Sequence, residues 1–408
     1  MDLVPLTDAL AHHDTVEVIG HSGAGLTTLA NQVHETWPHA AVVGQDPIAH
    51  ITYLRDTVIE EVAIGLEQRG VAPADMLARC ERILAAAGLS SLAERDPTTL
   101  SGGQTRRLAI ASVAILEPDV LVLDDPFAGL DTASARLITA LLTQLPSKVV
   151  LLGTRPRMGG ELFSLIDATL QPHTPTPTTP VLPPQVSPSK APVLDLGEVA
   201  ATRGGGKRKW WQLRRAERPV FTAGPLHVHA YPGTVVWLRG ANGAGKTTML
   251  RAMAGLDGNP GLAATRGVSV SLALQRAADQ IAESTVGEFI GSAEGINRLA
   301  ALGVMLDRSE HPLDLPAAHL RLAQLVQVLY QNRQLVLLDE PDVGLDAPNR
   351  ERAHALIADA LAARFRVRPG ASIASEERPP AAVILTCHDE TFAAEVGEYA
   401  QLRELTLG

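Results

Sequence analysis

Aromatic residues make up only 3% of the 408 positions, and there are just two cysteines, Cys80 and Cys387. Two thiols so far apart in sequence form neither a disulfide framework nor a metal set, so they read as small core residues in a reduced compartment. Lysine is scarce too, with five among 35 basic residues. The net charge of −10 argues against nucleic-acid binding as the main activity, and no nucleic-acid partner is expected. No apolar run approaches the ~20 residues of a membrane span. The opening "MDLVPLTDALAHHD" lacks the basic start and long apolar run of a signal peptide. The expected location is the cytoplasm, with any membrane role supplied by a partner. An apolar fraction of 46% and this length suit two or three ordinary globular domains.

What is present comes twice. "GHSGAGLTT" (Gly20–Thr28) and "GANGAGKTT" (Gly240–Thr248) both follow the phosphate-loop pattern, but the first has Leu26 where the lysine belongs. "LVLDDPFAGLD" (Leu121–Asp131) pairs with "LVLLDEPDVGLD" (Leu335–Asp346). Each apolar run ends in two carboxylates, as a buried parallel strand does at its C-terminal end. Each glycine loop follows a strand pattern and precedes a helix pattern. The repeat implies two α/β units, each a parallel sheet wrapped by helices. Between them "QPHTPTPTTPVLPPQVSPSKAP" (Gln171–Pro192) has eight prolines and reads as a polyproline-like linker. The expected division is 1–170, 171–192 and 193–408.

"LSGGQTRRLAIA" (Leu100–Ala111) stands upstream of the first acidic strand. LSGGQ followed by an apolar run into paired acids, in a chain with phosphate loops, resembles the ATPase subunits of the ABC (ATP-binding cassette) superfamily. The resemblance covers nearly the whole chain outside the linker. It implies two P-loop NTPase domains, each with a helical subdomain beside its parallel-sheet core. "DTVIEEVAIGLEQRG" (Asp56–Gly70) is similar, more narrowly, to the ATPases of energy-coupling-factor importers.

The resemblance assigns roles for ATP and Mg²⁺ in the second half. Gly240, Asn242, Gly243, Ala244, Gly245 and Thr248 belong to the loop whose backbone N–H groups cradle phosphates at a helix N-terminus. Lys246 reaches the β- and γ-phosphates, and Thr247 ligates Mg²⁺. Asp339 holds Mg²⁺ through water, and Glu340 orients and deprotonates the attacking water. Gln275 is the metal-side glutamine that senses the γ-phosphate, and His388 the switch histidine. Alone, His388 reads as a satisfied histidine at a strand end; its place after the apolar strand "AVILT" carries the functional reading. Ser101, Gly102, Gly103, Gln104 and Asp131 of the first half cap nucleotide held by the other domain, so the two cassettes pair head to tail.

Departures from the family pattern fall on one of the two sites so formed. Leu26, Asp125 in place of the glutamate, and Arg155, read as standing where the switch histidine belongs, face "LPAAH" (Leu315–His319) in place of LSGGQ. Leu100 and Leu315 both lie 24 residues before the first acid of their pair, which secures the register. Pro316 removes an amide donor, and Ala317 and Ala318 hold the backbone away. Thr27 survives, and Arg155 offers a cation in partial replacement of the lysine. The antiparallel subdomain reads as truncated in the first half, where fourteen residues precede "TVEVIG". The expectation is one hydrolytic and one degenerate site.

The basic, aromatic stretch Arg203–Pro219 reads either as a lipid or nucleic-acid contact or as an exposed hairpin, with Trp210 or Trp211 near the adenine-stacking position. The histidines His12, His13, His34, His39 and His50 lack metal-ligand spacing. By resemblance the chain energises integral-membrane transport subunits from the inner face of the cell membrane, docking them through the segment after Gln45. Two alternatives remain: a soluble tandem ATPase acting on ribosomes or DNA, and a regulatory protein that binds ATP without turnover, against which Glu340 stands.

Overall fold

The computed structural model describes residues 1–21, 23–130, 132–174, 180–188, 194–203, 221–241, 243–362, 364–366, 376–378, 380–387 and 389–407. Asn242, Asp131 and His388 lie outside the described residues. So do Trp210, Trp211, the basic stretch beyond Arg203 and most of residues 363–379. The chain divides into two compact units, Met1–Thr178 and Thr179–Gly408.

In the first unit, α1 (Val4–His12), β1 (Thr15–Ile19), α2 (Leu26–Thr36) and β2 (Ala40–Val43) come first. Helices α3 (Val58–Gln68), α4 (Pro73–Ala86) and α5 (Gly102–Ala114) follow, then β3 (Val120–Asp124), α6 (Thr132–Leu142), β4 (Lys148–Gly153), β5 (Glu161–Ile166) and β6 (Thr169–Pro172). The strand order is β2-β3-β4-β1-β5-β6, parallel except for β6, which runs antiparallel to β5. Each residue of β3 is buried, as a strand covered on both faces requires.

The second unit opens with an antiparallel ribbon of β7 (Leu194–Arg203) and β8 (Phe221–Ala230). It continues through β9 (Thr234–Arg239), α7 (Lys246–Met253), α8 (Gly261–Arg266), β10 (Val270–Ala273), α9 (Val286–Ile290), α10 (Ala293–Ala301) and α11 (Ala317–Leu329). Then come β11 (Leu335–Asp339), α12 (Ala347–Leu361), the short antiparallel pair β12 (Arg364–Arg366) and β13 (Glu376–Arg378), β14 (Ala382–Thr386), α13 (Glu390–Tyr399) and β15 (Gln401–Thr406). Its main sheet, β10-β11-β14-β9-β15, is all parallel and repeats the order of the first five strands of the other unit.

Two differences between the units matter for function. Where the second unit packs Leu196, Val199, Ala223 and Val228 of its ribbon on the sheet, the first packs Leu6, Ala9 and Leu10 of α1. One helix thus closes the core face that an antiparallel subdomain closes in the other copy. The second difference is a deletion: β14 leads through α13 into β15, whereas β4 passes to β5 through residues 154–160 alone. In that loop the amides of Met158, Gly159 and Gly160 donate to Glu17 Oε1 at 2.9, 2.6 and 3.2 Å, and that of Arg157 donates to Oε2. Glu17 is 2% exposed on β1, so this acceptor replaces the hydrogen bonds that a helix would have made for itself.

Described parts of the proline-rich stretch are not free spacer. Gln171 and Pro172 extend β6 against β5. Leu182 and Val186 pack on the second unit's core, and the Val186 amide donates to the Tyr399 carbonyl at 2.6 Å. The few apolar residues among the prolines find core to cover, which a reading by composition overlooks.

Replacing Glu17 by Gln turns one acceptor into a donor aimed at those amides, at a cost of about 2–3 kcal/mol. The first unit's thermal transition is expected to fall by roughly 5–10 °C in scanning calorimetry; an unchanged transition would show that the loop does not depend on this carboxylate.

Candidate functional site

In the second unit, loop Gly240–Gly245 leaves β9 and enters α7. Gly243 and Gly245 have φ of +85° and +99°, which L side chains rarely adopt, and a Cβ on Gly245 would stand 2.8 Å from the Phe221 ring. Nothing lies within 4 Å of where a Cβ on Gly243 would be, so that side of the loop is open to a ligand. Lys246 Nζ donates to the carbonyls of Gly240 and Ala241 at 2.7 and 3.2 Å, which curls its cation over the loop. Phe221, at the start of β8, is an exposed ring against the phosphate loop that sequence reading missed while attending to Trp210 and Trp211.

The acidic pair ends β11. Asp339 Oδ1 accepts from Thr247 Oγ1 at 3.2 Å and from Thr386 Oγ1 at 2.7 Å. Thr386 Oγ1 accepts in turn from the Glu340 amide at 3.0 Å. Gln275 Nε2 donates to Glu340 Oε2 at 2.8 Å. Burial pushes the Asp339 carboxyl up, with Glu340 adding to the rise while Thr386, Thr247 and Arg321 oppose it. The half-buried Thr247 hydroxyl beside the buried Asp339 carboxylate, next to an open phosphate loop, forms a hard oxygen donor set suited to Mg²⁺. Glu340 has φ of +50°, a strained backbone that turns its side chain away from the strand end. Arg321 on α11 donates to the carbonyls of Leu274 (3.1 Å) and Gln275, holding the glutamine's segment in place. Thr386 and Arg321 carry no motif of their own; strand register and helix phase reveal them.

The first unit repeats this scaffold with altered chemistry. Thr27 Oγ1 donates to Asp124 Oδ2 at 2.7 Å, and Arg106 donates to the Gln45 carbonyl at 3.2 Å as Arg321 does to that of Gln275. Asp125 keeps the left-handed φ, at +48°. Register pairs Asp339 with Thr386 but Asp124 with Leu152. A methyl-tipped side chain therefore stands where the supporting hydroxyl should be, and Asp124 Oδ1 is buried without a hydrogen-bond partner. Leu26 packs partly into the core beside α1. Burial raises the Asp125 carboxyl, with Arg106 the largest opposing influence.

The same register corrects one assignment. Position 388 lies two residues past Thr386, so its counterpart lies two past Leu152: Thr154, with Arg155 matching Asp389. Register therefore gives the switch position of the first unit to Thr154, one residue before Arg155. Arg155 lines a small cavity with Asp125, Glu17 and Leu152.

Gly102 and Gly103 begin α5. A Cβ on Gly102 would meet nothing within 4 Å, whereas one on Gly103 would press Ser134 Oγ at 3.1 Å. The first glycine thus opens backbone to an incoming group, and the second lets α5 pack on α6. Gln104 Oε1 accepts from the Ser101 amide at 2.9 Å, so it caps its own helix. At α11, Pro316 occupies the cap position with no side-chain hydrogen bond.

Among the described residues no helix is long and apolar enough to cross a membrane. The segment after Gln45 instead exposes Ile48, Tyr53 and Leu54, the last 82% accessible. The matching segment of the second unit, Ala277–Ile281, exposes no large apolar side chain.

Comparison with known proteins places these sites in a family. A family model described as ABC transporter matches residues 5–128 and 224–343. A putative ABC transporter ATP-binding protein of Streptomyces avermitilis is 30% identical over 91% of this chain and 79% of its own length. An energy-coupling factor transporter ATP-binding protein of Lacticaseibacillus paracasei is 31% identical over 35% of this chain and 60% of its own. Among solved structures, the complex of an archaeal ribosome recycling factor with a ribosomal stalk protein aligns with TM-score 0.60 at 16% identity, covering 94% of this chain and 81% of that one. The likeness shows a shared fold. With two matched domains, a phosphate loop, an acidic strand end and LSGGQ, the chain belongs to the ABC transporter ATP-binding family.

Proposed function

We propose that this chain is the energising ATPase of an ABC-type membrane transporter, of the energy-coupling-factor kind, with one hydrolytic and one silent nucleotide site. The observation that carries the reading is the convergence in the second unit of Lys246, Thr247, Gln275, Asp339 and Glu340 at the ends of adjoining parallel strands.

Family membership implies ATP as substrate and Mg²⁺ as cofactor. Thr247 Oγ1, Gln275 and the Asp339 carboxylate would hold Mg²⁺, which when bound offsets charge on the transferred phosphoryl group. Lys246, released from the Gly240 and Ala241 carbonyls, serves the same purpose from the loop side. Glu340 accepts a proton from the attacking water as it adds to the γ-phosphorus and the bond to ADP breaks. Gln275 orients that carboxylate, and His388 serves the γ-phosphate. The motif distribution supports a division of labour in which the Ser101–Gly103 amides of the first cassette cap nucleotide on the second, as head-to-tail pairing requires. The reciprocal set, with Leu26, Asp125, Leu152 and Pro316, lacks a cation, a reach of one methylene, a hydroxyl and an amide.

The transport reading draws on the names of the relatives and on the exposed apolar group Ile48, Tyr53 and Leu54, which suits a short helix of an integral-membrane partner. Coupling then follows from closure on ATP and reopening after hydrolysis, with the chain peripheral on the inner face of the membrane.

Glu340→Gln is expected to lower Mg²⁺-dependent ATP turnover about 100-fold or more, and Ser101→Arg about tenfold or more. Asp125→Ala and Ala317→Arg are expected to change it less than about threefold, because they alter the silent set. Steady-state phosphate release reads all four; undiminished turnover in Glu340→Gln overturns the assignment. For the partner, Ile48→Asp with Leu54→Asp is expected to release the chain from the membrane fraction while its own ATPase persists. Sedimentation with ribosomes in place of membranes would overturn the transport reading.

A further inference from the structure

Helices α12 and α13 are joined by a buried network that the catalytic motifs do not use. Arg350 Nε donates to Glu395 Oε2 and Arg350 Nη1 to Asp389 Oδ2, both at 2.6 Å, with all three side chains no more than 14% exposed. The guanidinium lies over the Phe392 ring. One turn along α12, His354 reaches Glu395 Oε2 at 2.8 Å and the Tyr399 hydroxyl at 3.1 Å. Asp389 serves two masters: Oδ1 caps α13 through the Thr391 amide at 3.0 Å, and Oδ2 takes the arginine.

The sequence places each end of this network beside the chemistry. Asp389 follows His388 directly, and α12 begins seven residues past Glu340. The first unit supplies an internal comparison. Ten residues after its second acid, where Arg350 stands in the other copy, is Ala135, and four further on Thr139 replaces His354. The helix that would carry the acidic partners is missing as well. The network is present in the unit that keeps glutamate, lysine and switch histidine, and absent from the unit that has lost them.

We propose that Arg350 is a positioning residue for ATP hydrolysis: by clamping Asp389, the residue that follows the switch histidine in sequence, it ties the start of α13 to the helix that follows the catalytic glutamate. This rests on the second unit being the hydrolytic one. Buried charged pairs add little net stability against apolar isosteres but define one geometry, and a bidentate guanidinium defines it where an ammonium does not.

The test compares Arg350→Gln, Arg350→Lys and Asp389→Asn with the full-length chain. Asp389→Asn keeps the helix cap and loses only the charge facing Arg350, so it covers the case in which Arg350→Gln fails to fold. Turnover is expected to fall about tenfold in Arg350→Gln and Asp389→Asn, with Arg350→Lys between them and the parent, because an ammonium restores charge without the fork. The ATP KM and the affinity for a fluorescent ATP analogue are expected to stay within about twofold. Unchanged turnover in folded variants overturns the proposal, as does a loss of turnover that tracks thermal stability with no rescue by lysine. If Glu340→Gln is itself harmless, the reading of the site fails first, and the two failures are told apart.

A separate observation concerns the β7–β8 ribbon. Asp195 is paired directly across from His229, and His227 lies two residues along, on the same exposed face. The imidazole rings are 4.7 Å apart, His229 Nδ1 is 3.6 Å from Asp195 Oδ1, and one ligand atom from each of the three lies within 4.8 Å of the others. Two imidazoles and a carboxylate on a paired two-stranded ribbon suit a borderline first-row ion and not Mg²⁺ or Ca²⁺.

We infer a divalent transition-metal site on this ribbon, with Asp195, His227 and His229 as ligands and water completing the coordination. Equilibrium dialysis of the chelator-treated chain against Zn²⁺ or Ni²⁺, with nucleotide absent, is expected to show one saturable equivalent. His227→Ala with His229→Ala is expected to abolish it, and Asp195→Asn to weaken it about tenfold. Absence of saturable binding, or one equivalent retained in the double variant, overturns the site. All three side chains are exposed, so folding does not confound the result.

Discussion

Each unit depends on a carboxylate buried at the end of an interior strand, β3 in the first and β11 in the second. A carboxyl group there is costly unless neighbouring groups hydrogen-bond it, and the parallel register decides which residue of the next strand is available to do so. In the second unit that residue is Thr386, whose hydroxyl donates to Asp339 while accepting the Glu340 amide. The two acids are thus held by one side chain, and the strained backbone at Glu340 is anchored by the same oxygen. In the first unit Leu152 occupies the position, and one oxygen of Asp124 is left without a partner.

The asymmetry between the halves is therefore more than a set of altered motifs. Loss of the lysine, shortening of the glutamate, loss of the threonine hydroxyl and removal of a whole helix all touch the same corner of one sheet. The remaining parts have been refilled with ordinary packing: Leu26 joins the apolar face under α1, and Glu17 collects the amides of the shortened loop. What that half keeps is the Ser101–Gly103 backbone at the start of α5, with open space beside Gly102.

Much of this was legible in sequence, because the fold and the chemistry share residues. Two apolar runs ending in paired acids, two glycine loops and two equally spaced helix starts fix the architecture through period and spacing alone. Groups that act through register were not legible. Thr386 is one threonine in an apolar strand, and only pairing with Asp339 gives it a role. The switch position in the first half falls on Thr154 and not on Arg155 for the same reason, since strand register is not displayed by sequence. Phe221 and Arg350 escaped notice because their partners lie 24 and 39 or more residues away in the chain. Composition misled at the proline-rich stretch, where two aliphatic side chains suffice to dock it.

The seven-residue connection between β4 and β5 has one more implication. A phosphate loop can regain a lysine, and an aspartate can lengthen to glutamate, by single codon changes. A missing helix cannot return that way, and the Glu17 carboxylate that now accepts from the short loop would lie buried without its amide donors if the loop were lengthened alone. The first unit is held by its own repacking, so the structural difference between the two halves is built into the architecture and is not confined to exchangeable motif residues.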